Sequence, residues 1–390
     1  MDATASIQEA AASRPEAAFT LRPDEATVHL IASGLIALIQ QTQKEGVLTA
    51  PYPKPLQRGF NQLVATCLRC GRQPPQSIME LLDWCRRPLA SWELDLPDGS
   101  VADDERLLDD QLPTATCEAW ARSGGDIEAA LSEERLLSHV ISVCKTANDP
   151  QAYTAFRRTL IERPVLTSFE LRGICATPEL DLLSEQLSAA YEAAPRSAVH
   201  NGHWATCAVC GNLLLRTRRE ELICEDETCR AQGHRAPSRL LPLRDEVVWL
   251  RRDLRRYIAA PGRTELRLAR AFAAMGLQVE LWPAFDRYDL RVTFPDETVW
   301  ALDVKDWSNP FLLARNVNHK PFPSDPPWRR AFFVFPDARC NQRPDYVRAF
   351  KSVCRVLSDH VSACCERDVL QEAEQTLKQV EQTLKRGDHA

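Results

Sequence analysis

Glu265, Asp289 and the triplet Asp303-Val304-Lys305 are the residues whose types and order could do chemistry in this chain. Glu265 opens an amphipathic helical stretch, and Asp289 lies in the strand-like run 288–294. The triplet closes a second such run, 298–305. Side chains alternate faces along a strand, so Trp300, Leu302 and Val304 share one face and Asp303 and Lys305 the other. Phosphodiester hydrolysis needs carboxylates that hold one or two hard cations against a phosphate oxygen. It also needs a group that orients or deprotonates the attacking water. Asp289 and Asp303 fit the first task. Lys305 fits the second and can neutralise charge developing on the phosphate. Glu265 suits a second metal or the placing of its water. The plainer reading is an α/β domain whose strand-end aspartates are solvated or paired with Arg287 and Arg291, but burying an unpaired carboxylate in an apolar strand is costly.

This constellation resembles the PD-(D/E)XK nuclease superfamily, the restriction-endonuclease fold. Glu265 matches its first-helix glutamate, Asp289 its metal aspartate and Asp303-Val304-Lys305 its (D/E)-x-K signature; Tyr288 stands where that family often has proline. The order of helix, strand, Asp strand, D-x-K strand and the apolar run 331–335 agrees with it. The runs 282–290 and 300–307 resemble one family in particular: the restriction-endonuclease-like protein encoded in three-gene islands beside bacterial PIWI-RE proteins and a DinG-type helicase. The resemblance implies a C-terminal α/β restriction-endonuclease-like domain with a mixed central sheet, and Mg²⁺ or Mn²⁺ held by Asp289, Asp303 and Glu265. It also implies action against invading DNA with the PIWI-RE protein and the helicase as partners. One such site cuts one strand, so duplex scission calls for a homodimer or two successive nicks.

Cys207-x2-Cys210 is followed after thirteen residues by Cys224-x4-Cys229. Two close thiolate pairs separated by a short hairpin suit a closed, structural tetrahedral Zn²⁺ site. Gly211 lets the first knuckle turn tightly. The runs 213–219 and 221–224 read as two short strands, and Arg216, Arg218, Arg219, Arg230 and Arg235 make the ribbon basic. His203 and His234 flank it as substitute ligands. Cys67-x2-Cys70 resembles half of a second site, but Cys85 and Cys117 are single and far apart, which favours buried core cysteines. The other thiols of the fourteen cysteines are expected to stay reduced in the cytoplasm.

Elements must position these groups. Apolar residues three and four apart predict helices near 24–43, 57–70, 76–87, 131–147, 151–163, 167–174 and 178–193. Thr167-x-x-Glu170 reads as a capping box, Pro178 as a helix start, and 91–113 as loop. Residues 244–259 predict a helix bearing Arg251, Arg252, Arg255 and Arg256; its place directly before Glu265 suits phosphate contact. Arg315, Asn316 and Lys320, downstream of the D-x-K strand, are further candidates for DNA contact. The tail 366–386 spaces Leu370, Ala373, Leu377, Val380 and Leu384 as one stripe that packs on the domain or on a second copy.

At 390 residues, 26% charged and 44% apolar, the composition is that of a soluble protein of two or three domains. The longest apolar stretch, 30–39, is about half of what a bilayer span needs. The N-terminus lacks the features of a signal peptide, so a cytoplasmic, membrane-free protein is expected. Residues 1–200 carry 18 basic and 28 acidic side chains and residues 201–390 carry 30 and 26, so a net −10 faces a net +4. The basic half suits DNA and the acidic half suits a protein partner.

The expected organisation is multidomain: a disordered 1–20, an α-helical partner-binding region 21–198, a zinc ribbon 199–240, a nuclease domain 241–365 and an amphipathic helix 366–390. The expected function is a Mg²⁺-dependent deoxyribonuclease. A catalytically silent nucleic-acid-binding adaptor, docking partners through its helical half and ribbon, is the alternative. A nuclease for RNA or branched DNA is a third reading.

Overall fold

The computed structural model describes residues 22–45, 50–123, 127–217, 221–233 and 236–387. The segment expected to be disordered, 1–20, lies outside the described residues, as do Arg218, Arg219, His234 and Arg235. Among the described residues no helix is long and apolar enough to cross a membrane.

The N-terminal half is helical. Helices α1 (Pro23–Glu45) and α2 (Lys54–Arg69) cross where Gly34 meets Leu56; a Cβ on Gly34 would lie 2.3 Å from the Leu56 backbone nitrogen, so only glycine fits. Ser77 caps α3 (Ile78–Cys85) by accepting the Glu80 N–H. The stretch read as loop contains a two-stranded hairpin, β1 (Leu108–Asp109) with β2 (Leu112–Pro113). It leads into α4 (Ala115–Ser123), a helix that periodicity does not signal because 115–121 are all buried. Next come α5 (Ile127–Ala147) and α6 (Pro150–Glu162), the latter capped by Asp149.

The helical pattern then gives way to strands. β3 (Val165–Thr167) runs into α7 (Ser168–Cys175) through the Thr167–Glu170 capping box, which is present as expected. The chain reaches α8 (Ser184–Ala189) only after a turn and a 3₁₀ segment, so no helix starts at Pro178. β4 (Tyr191–Ala193) follows. β5 (His203–Thr206), the hairpin of β6 (Leu214–Arg216) and β7 (Leu222–Cys224), α9 (Glu227–Ala231) and β8 (Arg239–Pro242) form the cysteine-bearing module. β9 (Val247–Leu250) pairs with both β3 and β4. Two expectations are corrected here: the region 21–198 is not helical throughout, and 244–259 is not one helix. Three-residue strands carry no measurable periodicity, whereas Val247-Val248-Trp249-Leu250 is a β-favouring run whose type overrides its helical spacing.

The helix resumes as α10 (Arg252–Leu254), a π-turn over Arg255–Ala259, and α11 (Ala260–Ala274), which carries Glu265. β10 (Gln278–Leu281), the short turn α12 (Pro283–Asp286), β11 (Leu290–Thr293) and β12 (Val299–Val304) come next. They are followed by α13 (Pro310–Val317), β13 (Arg330–Phe335), α14 (Asp337–Gln342), α15 (Tyr346–Val353), β14 (Val361–Cys365) and α16 (Glu366–Gly387). The five strands form one mixed sheet in the order β10-β11-β12-β13-β14, antiparallel through β12 and parallel thereafter.

Each sheet face has its own core. On one face Leu290, Leu302, Trp300, Phe332 and Val334 pack against Phe272 of α11 and against Val369 and Ala373 of α16, so the tail stripe covers its own sheet. On the other, Ala301, Phe333, Phe335 and Ala363 join Leu313 of α13 and Phe350 of α15, and the same cluster runs on into Ile31 and Leu35 of α1 and Trp120 of α4. Helical half and sheet thus share one continuous core. Arg315 reinforces the seam through an ion pair to the buried Glu25 of α1, 2.5 Å away. Cys340 and Cys365 form a disulfide between α14 and the end of β14. That departs from the expectation of reduced thiols, because strand pairing brings together two cysteines that lie 25 positions apart.

Candidate active site

The β11–β12 register carries the first part of the site. Leu290, the first residue of β11, lies opposite Leu302, so Asp289 just before it stands beside the end of β12. The Val304 N–H donates to Asp289 Oδ2 at 2.6 Å, and the Asp289 N–H to the Leu302 carbonyl at 3.0 Å, so the aspartate is clamped to the end of the D-x-K strand. Lys305 Nζ donates to Asp303 Oδ1 at 2.6 Å. Burial opposes the Lys305 ammonium, but Asp303 and Asp289 outweigh it and hold its pKa above the ordinary lysine value.

Glu265 reaches the same region from α11 and is 1% exposed. Arg157 of α6 donates to its Oε1 and Oε2 at 3.3 and 3.2 Å, and the Trp282 indole donates to Oε2 at 2.5 Å. A second Arg157 nitrogen pairs with Asp286, and its guanidinium lies 4.8 Å from the Trp282 ring centroid. Trp282, Ala284, Phe285 and Asp286 all have positive φ, between 49° and 71°. None is glycine, so this turn stores strain of order 1–3 kcal/mol per residue and persists because its contacts hold it. Its effect is to aim the Trp282 indole and the Asp286 carboxylate at the Glu265–Arg157 pair.

Burial pushes the Asp289 pKa well above the carboxylate range, and Glu265 and Asp303 push it further; only Lys305 among its principal neighbours opposes this. Burial also raises Glu265, against Arg157. Four carboxyl groups (Glu265, Asp286, Asp289, Asp303) are thus crowded around two cations (Arg157, Lys305). Such a crowd of hard oxygen donors fits one divalent cation, whose charge would favour their ionised forms. The carboxylates are not drawn into a tight ligand set, however. Among the described residues, the four cysteines are the group of three or more metal-ligating side chains whose donor atoms all lie within 4.8 Å of one another.

Arg157, Trp282 and Asp286 were not among the candidates. Arg157 lies 108 residues from Glu265 in sequence, and nothing in its own helix distinguishes it. The positive-φ turn over 282–286 has no Gly or Asn to announce it.

The arginines expected to face DNA are engaged inside the fold. Arg252 pairs with buried Glu118, and Arg255 with Glu225 while lying 3.5 Å from the Trp249 ring centroid. Arg256 approaches Glu118 at 3.9 Å and Arg251 pairs with Asp253 at 2.5 Å. Arg315 serves the α1 seam described above. Charge spacing cannot reveal such pairing, because the acidic partners lie on other elements. Lys320 and Asn316 are exposed around the end of α13.

Cys207, Cys210, Cys224 and Cys229 are all buried. Their mutual distances suit a tetrahedral ion, whose sulfurs lie about 3.8 Å apart when each is ~2.3 Å from the metal. Gly211 takes φ +74° and donates its N–H to the Cys207 carbonyl. The Val209 and Asp226 N–H groups point at the Cys207 and Cys224 sulfurs, at 3.4 and 3.5 Å. The quartet is thus compatible with a structural metal. His203 is exposed and hydrogen-bonded to Asn201. Cys67 is buried and Cys70 exposed, and among the described residues they join no such group.

Two family models match the chain. Residues 27–167 match the pPIWI-RE three-gene island domain Y, and residues 262–381 match the REase associating with pPIWI-RE. No curated protein matches it. Glu265, Asp289, Asp303 and Lys305 all fall in the second match, and Arg157 in the first. With both matches in one chain, the protein resembles the restriction-endonuclease-like protein of pPIWI-RE three-gene islands, which points to a nuclease-like role.

Proposed function

We propose that the chain is a metal-dependent DNA endonuclease of the PD-(D/E)XK type, with its domain over 241–365 and a zinc ribbon over 199–240. The observation that carries this is Asp289 held by the Val304 N–H at the end of the D-x-K strand, with Lys305 bonded to Asp303, inside the region that matches the REase model. Asp289, Asp303 and Glu265 would hold Mg²⁺ or Mn²⁺, which supplies Lewis-acid polarisation of a phosphate oxygen. The side chains do the remainder. Asp289, fixed to the Val304 N–H, keeps the strand ends together. Lys305 orients the attacking water and stabilises charge on the phosphate. Asp303 holds the Lys305 ammonium in place. Glu265 completes the acidic set from α11. Zn²⁺ at the cysteine quartet is structural. The three-gene island named by one match and the pPIWI-RE association named by the other support a PIWI-RE protein as partner, with a DinG-type helicase beside it, and duplex scission would use two copies or two nicks.

The test is cleavage of plasmid and linear DNA in Mg²⁺, Mn²⁺ or EDTA, by the wild type and by Lys305→Ala and Asp303→Ala. Metal-dependent cutting lost in both variants supports the reading; cutting that persists in both removes it. The buried Arg157–Glu265 pair favours a second reading, a silent nucleic-acid-binding adaptor. Absence of cutting by the wild type with its island partners present would select it.

A further inference from the structure

The arginines packed around the D-x-K strand end are nearly all neutralised. Arg252 pairs with Glu118, Arg255 with Glu225, Arg263 with Asp226 and Arg339 with Asp306. Arg122 is not neutralised in this way. It sits in the last turn of α4, in the helical half, and is exposed. Among the described residues no carboxylate pairs with it and no acceptor takes its N–H groups. Its guanidinium is instead flanked by two rings, 4.7 Å from the Tyr257 centroid and 5.1 Å from that of Trp307. Tyr257 belongs to the π-turn that leads into the Glu265 helix, and Trp307 follows Lys305 by two residues.

The rings bind the cation without neutralising it. They also restrict a side chain that would otherwise lose its rotamer freedom on binding a ligand. Arg122 is close enough to Lys305 to act on it electrostatically, cation against cation. It stands at a small hollow of about 20 Å³ that Glu118, Arg256, Asp306 and Ser308 also line. The Ser308 hydroxyl there is buried with no hydrogen-bond partner. That volume holds about one water, so an anion would sit at the mouth, against the exposed guanidinium. A pre-oriented, unpaired guanidinium beside the D-x-K lysine matches the fork geometry of a phosphate.

We propose that Arg122 binds a backbone phosphate of the DNA strand presented to Asp303 and Lys305, so that the helical half supplies part of the substrate-binding surface. This rests on the nuclease reading for its geometry, but it is tested by binding alone. The probe is a labelled duplex oligonucleotide in EDTA, titrated over a range of salt with the full chain carrying Lys305→Ala, with and without Arg122→Gln. Removing one phosphate contact should weaken binding about tenfold at low salt and reduce the slope of log K against log salt by about one, for every sequence tried. Arg122→Lys should restore the slope while leaving affinity below that of arginine, because it keeps the charge and loses the fork. An unchanged slope in a folded Arg122→Gln protein would overturn the proposal. Should that variant not fold, Arg122→Lys decides, and unchanged affinity would overturn it. Arg122-dependent binding of this kind, with a wild-type chain that never cuts in Mg²⁺ or Mn²⁺ even beside its island partners, would sink the nuclease reading and leave the phosphate site standing.

Discussion

Arg157 donates to both carboxylate oxygens of Glu265 across 108 positions of sequence, joining α6 to α11 at the candidate active site. Both side chains are nearly fully buried, at 5% and 2% exposure. Removing one partner of such a pair leaves an uncompensated buried charge, at a cost of about 3–5 kcal/mol. Arg157→Ala should therefore lower the denaturant midpoint strongly. Glu265→Gln on that background should recover part of the loss, and a double-mutant cycle gives the coupling. Additive losses would show that the two side chains do not depend on each other.

Gly262 sets the approach of the same two helices. A Cβ there would lie 2.4 and 2.5 Å from Ile161 Cδ1 and Cγ1. Gly262→Ala must push α6 outward or force an Ile161 rotamer, an overpacking cost of about 1–3 kcal/mol. Ile161→Ala should relieve it, so the double variant should be more stable than the sum of the single effects. Strict additivity would refute the contact.

Catalysis and stability should separate at Lys305. Its side chain is 30% exposed and that of its ion-pair partner Asp303 17%, and buried Asp289 keeps its bond from the Val304 N–H when Lys305 is replaced by alanine. Cleavage should fall by about 10²–10⁴-fold with a melting temperature within a few degrees of wild type. A loss of activity accompanied by unfolding would deny Lys305 its chemical role.

Some of this was readable from residue order, and the reason is range. The alternation that puts Asp303 and Lys305 opposite Trp300, Leu302 and Val304 is a property of six residues in one strand. The cysteine spacing and the Thr167–Glu170 capping box are equally local. What local pattern could not show was every partnership across the chain. Arg252, Arg255 and Arg315 read as a basic surface and are paired with Glu118, Glu225 and Glu25 inside the fold. Arg157 meets Glu265, β9 finds β3 and β4, and Cys340 meets Cys365. α4 was invisible for another reason: a helix buried on every side has no stripe.

The cysteine quartet should carry one Zn²⁺ per chain, measured by elemental analysis after purification under reducing conditions. Cys224→Ser should lose it, and because metal binding contributes directly to folding, local amide protection across β6 and β7 should fall with it. Zinc-free protein with full protection there would dispose of the site.

Glu105 makes the seam between the helical half and the sheet domain sensitive to pH. Burial raises its pKa from about 4.5 to about 7, despite attraction from Arg343, and its Oε2 is buried with no hydrogen-bond partner. A folded state that holds this proton more tightly than the unfolded chain is favoured most below pH 4.5. That contribution drains away as pH climbs to 7 and stays lost above it. Glu105→Gln keeps the shape without the ionisation. It should therefore be more stable than wild type above pH 7, by on the order of 1–3 kcal/mol, with the gap closing as pH falls below 5. Denaturant melts of the two proteins at pH 5 and pH 8 decide it: parallel stability at both values would show that Glu105 ionises at no cost to the fold.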